Sequence, residues 1–206
     1  MSEIKDKSIQ IFLDQLASKS ATPGGGSVSA LMGAQSAALV SMVCNLTIGK
    51  PKYAEVEVEM IALLKQSELL REKLISLIKE DIDVFNQLMI AYGLPKETHE
   101  EKQLRTDKIQ AVLIAATEVP MSCARACAEA IDLSRRAADK GNLGAISDAG
   151  AAVMAAYAGL KSAVYINTNN IKDEQFVGAT LKELDAILKG LELTVEDIYQ
   201  LVKTKL

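Results

Sequence analysis

The stretch MIALLKQSELLREKLISLIKEDIDVFNQLMIA, residues 60–91, decides the fold class of this chain. Its apolar residues recur at alternating steps of four and three, the spacing of a long helix that packs against other helices. The complete seam is Val56, Met60, Leu63, Ser67, Leu70, Leu74, Leu77, Asp81, Val84, Leu88 and Ala91. We predict one helix over Lys52–Tyr92, ~60 Å long at ~1.5 Å per residue. Because that length exceeds a small domain, we expect part of the seam to pack against a second copy of the chain.

The rest of the chain also divides into helical patterns separated by glycine- and proline-containing breaks such as TPGGG, GKP and KGNLG. We predict five further helices and no strand; the helices cover Ser2–Ser18, Gly26–Ile48, Thr98–Lys140, Ile146–Asn167 and Asp173–Lys203. Short connections favour antiparallel neighbours. The prediction is therefore a single all-α domain over residues 1–206, an antiparallel multi-helix bundle with one very long helix, which forms a homodimer.

Composition restricts the partners and the compartment. The 206 residues are 49% hydrophobic and carry a net charge of −4 without a basic stripe, so we expect no nucleic acid partner. The apolar run Val28–Ile48 is nearly long enough to span a bilayer, but its serine, glutamine and asparagine residues favour a buried core helix and no membrane contact. The polar N-terminus lacks an apolar signal segment, which predicts a cytoplasmic protein.

The sequence offers little for a metal site. Cys44, Cys123 and Cys127 form no CxxC pair, and their surroundings predict small buried side chains in a reducing compartment. His99 is the single histidine, so neither a zinc site nor a Ser-His-Asp triad has the residues that it needs. We therefore expect no metal site.

Two carboxylates stand out by position. Asp81 interrupts the apolar seam, which suits either a register-setting polar residue or a functional group, since a buried unpaired carboxylate is costly. Asp148 follows Ser147 at the predicted start of a helix. There Ser147 can act as N-cap and Asp148 can interact with the helix dipole. A structural role is therefore sufficient to explain Ser147 and Asp148.

The loop TPGGGS, residues 22–27, opens directly into a predicted helix. Its glycines can adopt positive φ values, and they leave the backbone open to a ligand. A helix N-terminus offers unpaired N–H groups and partial positive charge, so the segment could bind an anion. A tight turn between two packed helices explains the same residues, and spacing alone does not separate the two interpretations.

Several stretches together resemble one family. TPGGGSVSAL, DIDVFNQLMIAYGLPKETHEEKQLR, GNLGAISDAG and YIN occur in the order found in the cyclodeaminase/cyclohydrolase family of one-carbon folate enzymes. The resemblance covers nearly the whole chain. It implies an all-helical homodimer without a cofactor, and a tetrahydrofolate derivative as substrate. Because no formiminotransferase domain is present in these residues, we expect a free-standing form.

The resemblance also implies site residues. Asp81 and Asp148 match acidic residues of the family's motifs and become the acid/base and electrostatic candidates. The anionic glutamate tail of folate would bind near the glycine loop. The substrate-binding candidates are Pro23, Gly24, Gly25, Gly26, Ser27, Lys50, Lys52, Lys96, Arg105, Ser147 and Asn167.

The activity stays open between two chemistries. Methenyltetrahydrofolate hydrolysis and formiminotetrahydrofolate cyclodeamination both pass through a tetrahedral carbon, and both need a proton delivered to a departing nitrogen. The free-standing chain favours the cyclohydrolase. The alternative is a non-catalytic folate-binding or scaffolding dimer with the same fold.

Overall fold

The computed structural model describes residues 6–166 and 168–206, and this part of the chain forms seven α-helices and no β-strand. The helices are α1 (Ile9–Leu16), α2 (Gly25–Asn45), α3 (Glu57–Tyr92), α4 (His99–Lys140), α5 (Ile146–Ala163), α6 (Glu174–Leu188) and α7 (Leu191–Lys205). Two short 3₁₀ helices, Pro51–Val56 and Leu143–Ala145, lead into α3 and α5. The predicted all-α fold is confirmed.

Helices α2 and α3 are antiparallel neighbours in the centre of the bundle. Ser27 near the start of α2 bonds Asp81 of α3, and Ser41 farther along α2 bonds Ser67, closer to the start of α3. At the next corner Lys140, the last residue of α4, pairs with Glu59 in the first turn of α3. Helices α2, α3 and α4 therefore run up, down and up.

Helix α5 runs down and closes the bundle against α2. A side-chain carbon placed on Gly159, near the end of α5, would lie only 2.9 Å from the backbone oxygen of Ser29, near the start of α2. Gly159 and Gly33 also both face the sulfur of Cys127 on α4. This three-helix contact shows why α2 and α5 are rich in small residues.

The seam of α3 is buried inside the chain over its first half, where Met60, Leu63, Leu70, Leu74 and Leu77 are at most 3% exposed. Asp81, Val84 and Leu88 are only partly buried. The helix has 36 residues rather than the predicted 41, because the chain from Pro51 to Val56 is a 3₁₀ turn. The second half of α3, which carries Asp81, Val84 and Leu88, faces a cleft of the same chain.

The predicted burial of the cysteines is confirmed, since Cys44, Cys123 and Cys127 are all free and buried. Burial raises the pKa of the Cys44 thiol to about 11. The Cys127 thiol donates a hydrogen bond to Cys123, and this bond together with burial raises the pKa of Cys127. These thiols are packing groups, and the described residues contain no cluster of three His, Cys, Asp or Glu side chains that could hold a metal ion.

Three predicted boundaries differ from the structure. The last predicted helix, Asp173–Lys203, is two helices, because the chain turns at Gly190 with φ of 75°. Helix α5 ends at Ala163, and the predicted end at Asn167 lies outside the described residues. Helix α1 begins at Ile9 behind the N-cap Ser8 instead of at Ser2, which also lies outside the described residues.

Three apolar helical segments of the described chain are long enough to cross a membrane by length and composition: Gly25–Asn45, His99–Lys140 and Leu143–Ala163. In the fold they supply α2, α4 and α5, which contact one another in the core. The predicted core position of the apolar run in α2 is confirmed, because 11 of its residues are buried.

Candidate active site

A cleft of about 780 Å³ opens at the end of the bundle where α2 begins. Asp81 lies beside the first turn of α2, and α3 continues for about three turns beyond it to Tyr92. Helix α4 packs along α3, and the segment that follows α5 covers the opposite side. The projecting α3 and α4 therefore form the walls of the cleft, and the start of α2 forms its floor.

The walls are largely apolar. They are formed by Val84, Phe85, Leu88, Leu113, Pro120 and Ile166. Pro120 lies inside α4, where it has no N–H to donate to the carbonyl of Ala116, a second residue of the same wall. Such walls suit the faces of a planar ring system, which is how most small-molecule pockets hold their ligands.

Asp81 is the single charged side chain among the described residues that line the cleft. Its Oδ2 atom accepts a hydrogen bond of 2.8 Å from the Ser27 hydroxyl. The carboxylate also lies directly against Gly26, where a Cβ atom would come within 2.7 Å of the Asp81 Cγ. The start of α2 thus receives the carboxylate of α3, an arrangement that the partial positive charge of a helix N-terminus favours.

This contact changes the interpretation of the glycine loop. None of Gly24, Gly25 and Gly26 has a positive φ; within the described chain the positive values belong to Gly49 and Gly190. Gly26 is required for close approach instead, and the anion at this helix start is the protein's own Asp81. The folate tail that we expected near the glycine loop would therefore lie close to the Asp81 carboxylate.

The other residues of the loop have different surroundings. Gly25 lines the cleft, and a Cβ atom there would meet nothing within 4 Å. Ser27 is 0% exposed, so its hydroxyl faces Asp81 rather than the open cleft. Pro23 borders a neighbouring, more polar hollow formed with α1 and the outer face of α3. Gly24 is the N-cap of α2.

The predicted basic residues are divided between the two ends of the bundle. Arg105 lies at the cleft end, where it donates to the backbone oxygen of Tyr92 and its guanidinium lies 6.0 Å from the centre of the Tyr92 ring. Lys96 is exposed in the turn between α3 and α4 and does not line the cleft. Lys50 and Lys52 follow the C-terminal end of α2, at the far end of the molecule.

Ser147 and Asp148 also lie at the far end. About fifteen residues of α5 separate Asp148 from the Ala163 contact with the cleft, a distance of ~22 Å along the helix. Ser147 is an exposed residue within α5 and not its N-cap, because a 3₁₀ turn starts the helix one residue earlier. One copy of the chain therefore does not bring Asp148 to Asp81, and Asn167 lies outside the described residues.

The motif GNLGAISD has a clear structural task at that far end. The Asn142 side chain donates to the Leu46 oxygen at 2.8 Å, and its backbone N–H donates to the Thr47 hydroxyl at 2.8 Å. The Tyr53 hydroxyl donates to Asn142 and accepts from the N–H of Leu143. Asn142 thus ties the loop after α2 to the start of α5.

Sequence reasoning missed the residues that complete the cleft. Phe85, Leu113 and Pro120 look like ordinary core residues in a helical pattern, so no sequence signal marks them as cleft walls. Gln110 holds the segment after α5 on α4, because its side chain donates to the Asn170 oxygen and accepts from the N–H of Lys172. A single glutamine within a helical pattern carries no such signal in the sequence.

Comparison with known proteins identifies the family. The sequence model of the formiminotransferase-cyclodeaminase family matches residues 8–186. The chain belongs to this family. The resemblance inferred from its motifs is thereby confirmed.

Relatives within the family carry two different names. A methenyltetrahydrofolate cyclohydrolase from Methylorubrum extorquens is 52% identical over 97% of this chain and 98% of its own length. The rat formimidoyltransferase-cyclodeaminase is 32% identical over 89% of this chain but only 35% of its own length. A crystal structure of formiminotetrahydrofolate cyclodeaminase from Thermotoga maritima superimposes with a TM-score of 0.79, at 34% identity, over 99% of this chain and 98% of that chain.

Proposed function

We propose that this chain is a tetrahydrofolate enzyme that acts on the carbon held at N5 and N10. Its reaction is the hydrolysis of methenyltetrahydrofolate, the cyclodeamination of formiminotetrahydrofolate, or both, and the 52% identical cyclohydrolase of matching length favours hydrolysis. The observation that carries the proposal is the position of Asp81, a lone carboxylate at the floor of an apolar cleft. The family and the names of its relatives supply the substrate class.

The chemistry suits one carboxylate. The methenyl carbon lies between two nitrogens that share a positive charge, and a nearby anion stabilises that cation. Asp81 would accept a proton from the attacking water as the tetrahedral carbon forms. It would then return the proton to the departing nitrogen while the carbon–nitrogen bond breaks. In cyclodeamination N10 takes the place of water as nucleophile, and ammonia is the group that leaves after protonation.

The walls of the cleft can hold the rest of the substrate. Phe85 and the apolar residues of α4 offer surfaces for the pterin and benzoyl rings. Arg105 at the rim is our candidate for the anionic glutamate tail, since it already lies beside Tyr92 of the cleft wall. This arrangement keeps the tail away from the Asp81 carboxylate, whose charge would repel it.

The test of the function is an assay of both substrates with purified protein. We expect the absorbance of methenyltetrahydrofolate to decay faster with the protein than by spontaneous hydrolysis. A parallel assay with formiminotetrahydrofolate measures the release of ammonia. The matched control is the Asp81→Asn variant at the same concentration. Tight binding of the folate without any acceleration of either reaction would contradict the proposed enzymatic function and support the non-catalytic alternative.

We also propose that the chain forms a homodimer. Val58, Ile61 and Leu69 are at least half exposed on α3, and at ~100° per residue they fall within about 80° of one another. Met42 on the neighbouring α2 and Leu46, the C-cap of that helix, are also partly exposed. An exposed apolar surface of this kind is typical of an interface.

We expect light scattering at micromolar concentration to give twice the mass of one chain. Val58→Glu combined with Leu69→Glu should shift the mass toward one chain, because two buried like charges would face each other across a symmetric interface. Exposed Leu193 on α7 provides the matched control, since Leu193→Glu should leave the dimer intact. A monomeric parent protein would refute the dimer.

We further propose a cytoplasmic location and a reaction that needs no cofactor. The three buried free thiols support a reducing compartment. The proposed proton transfers involve only Asp81, the substrate and water.

A further inference from the structure

Ser27 differs from Ser29, Thr47 and Thr117, three other buried hydroxyl residues of the bundle, in what it binds. Ser29, Thr47 and Thr117 donate to the backbone oxygen four residues earlier in their own helix, the usual contact of such residues. For Ser27 the residue four positions back is Pro23, which lies before α2. Its hydroxyl instead donates across to Oδ2 of Asp81 on α3, at 2.8 Å.

The burial of Ser27 excludes direct contact with a ligand in the cleft. The residue is 0% exposed, whereas the Asp81 that it binds lines the cleft. Whatever Ser27 contributes to the reaction must therefore pass through the carboxylate. One oxygen of Asp81 is held by Ser27, and the remaining lone pairs stay available for a proton or a cation in the cleft.

We propose that Ser27 is a positioning residue that fixes the orientation of the Asp81 carboxylate for proton transfer. The inference rests on the proposed acid/base function of Asp81. Without the hydroxyl, the short Asp81 side chain can rotate about its two torsions, and the fraction of molecules with a productive geometry falls. Within residues 6–166 and 168–206, the Ser27 hydroxyl is the side-chain group of another helix that hydrogen-bonds to this carboxylate.

The experiment is a double-mutant cycle of Ser27→Ala and Asp81→Asn. A hydrogen bond to a charged group predicts that Ser27→Ala lowers kcat by roughly 10–100-fold. Because Ser27 does not touch the ligand, KM should change by less than about twofold. In the Asp81→Asn background, measured by single turnover at high enzyme concentration, Ser27→Ala should cause little further loss, since the two residues act as one unit.

Ser36→Ala is the matched control. Ser36 is a 0% exposed serine of the same helix, and its hydroxyl lies 3.5 Å from that of Ser134 instead of beside a carboxylate. It should retain kcat while losing a comparable amount of thermal stability. If Ser36→Ala lost as much kcat as Ser27→Ala, Ser27 would act only as a packing residue and the inference would be overturned.

The outcomes separate the inference from the proposed function. Full turnover by Asp81→Asn would overturn the proposed function of Asp81 and, with it, any positioning by Ser27. A nearly inactive Asp81→Asn beside a fully active Ser27→Ala would overturn only the inference. Equal losses from Ser27→Ala in both backgrounds would also overturn it, because the serine would then act independently of the carboxylate.

Discussion

Asp81→Asn should lower the turnover of methenyltetrahydrofolate or formiminotetrahydrofolate by roughly 10²–10⁴-fold, the usual contribution of general acid–base catalysis. Asparagine keeps the size of the side chain and can still accept the Ser27 hydrogen bond, but it has neither the charge nor the basicity. Steady-state kinetics would measure the loss, and circular dichroism and thermal melting would show that the fold persists. We expect stability to hold, because no core contact is removed.

The same variant decides between the two interpretations that the sequence left open. A residue that only sets helix register would tolerate asparagine, which is a common polar residue at such seam positions. A folded Asp81→Asn enzyme with turnover near that of the parent would therefore remove Asp81 from the mechanism and leave it a structural role.

Asp148→Asn is the natural companion variant. Asp148 lies in the first turn of α5 and outside the cleft of its own chain. If one chain forms the complete site, this substitution should leave kcat nearly unchanged. A large loss of kcat with an intact fold would mean that Asp148 of a second copy reaches the cleft, which would join the catalytic and dimer proposals in one assembly.

The sequence predicted the helices well where local chemistry marks their ends. Helix α4 was predicted over Thr98–Lys140 and spans His99–Lys140, because Thr98 and Glu101 form a capping box at its start. The break at Gly190 was missed, since a single glycine within an apolar helical pattern is compatible with an uninterrupted helix. Its positive φ depends on how α7 folds back along α5.

The site was predictable only in part, for reasons of helix direction. Asp81 was found because it interrupts an apolar seam, and its contact with the glycine loop joins two family motifs. The motif around Ser147 and Asp148 lies at the other end because α2 and α5 are antiparallel, a relation that motif spacing does not encode. The role of Gly26 also required the fold, since nothing in the sequence shows which side chain approaches its Cα.

Gly26→Ala should lower kcat by roughly 10²-fold, the loss expected when a reacting group moves by about 1 Å. The added methyl group would overlap the Asp81 carboxylate, because an ideal Cβ at Gly26 lies within 2.7 Å of its Cγ. The carboxylate must then move away from the start of α2, and its bond with Ser27 is lost or distorted. Because the reacting group is displaced, a saturating substrate concentration should not restore the rate.

Gly25→Ala provides a control one residue away. Both positions lie in the first turn of α2, but a Cβ at Gly25 meets nothing within 4 Å. Both variants replace glycine by a better helix former in the same turn, so the main difference between them is the contact with Asp81. We expect Gly25→Ala to keep kcat and to melt at a slightly higher temperature.

Comparing the two glycine variants tests the geometry of the site independently of any charge change. If Gly26→Ala and Gly25→Ala show equal kcat values, Asp81 either accommodates the methyl group without cost or takes no part in turnover, and the Asp81→Asn result then separates these cases. If only Gly26→Ala loses activity, the glycine is required for the close approach of a carboxylate to a helix start. The family's glycine loop then serves to hold a reacting group, not to bind the substrate's anionic tail.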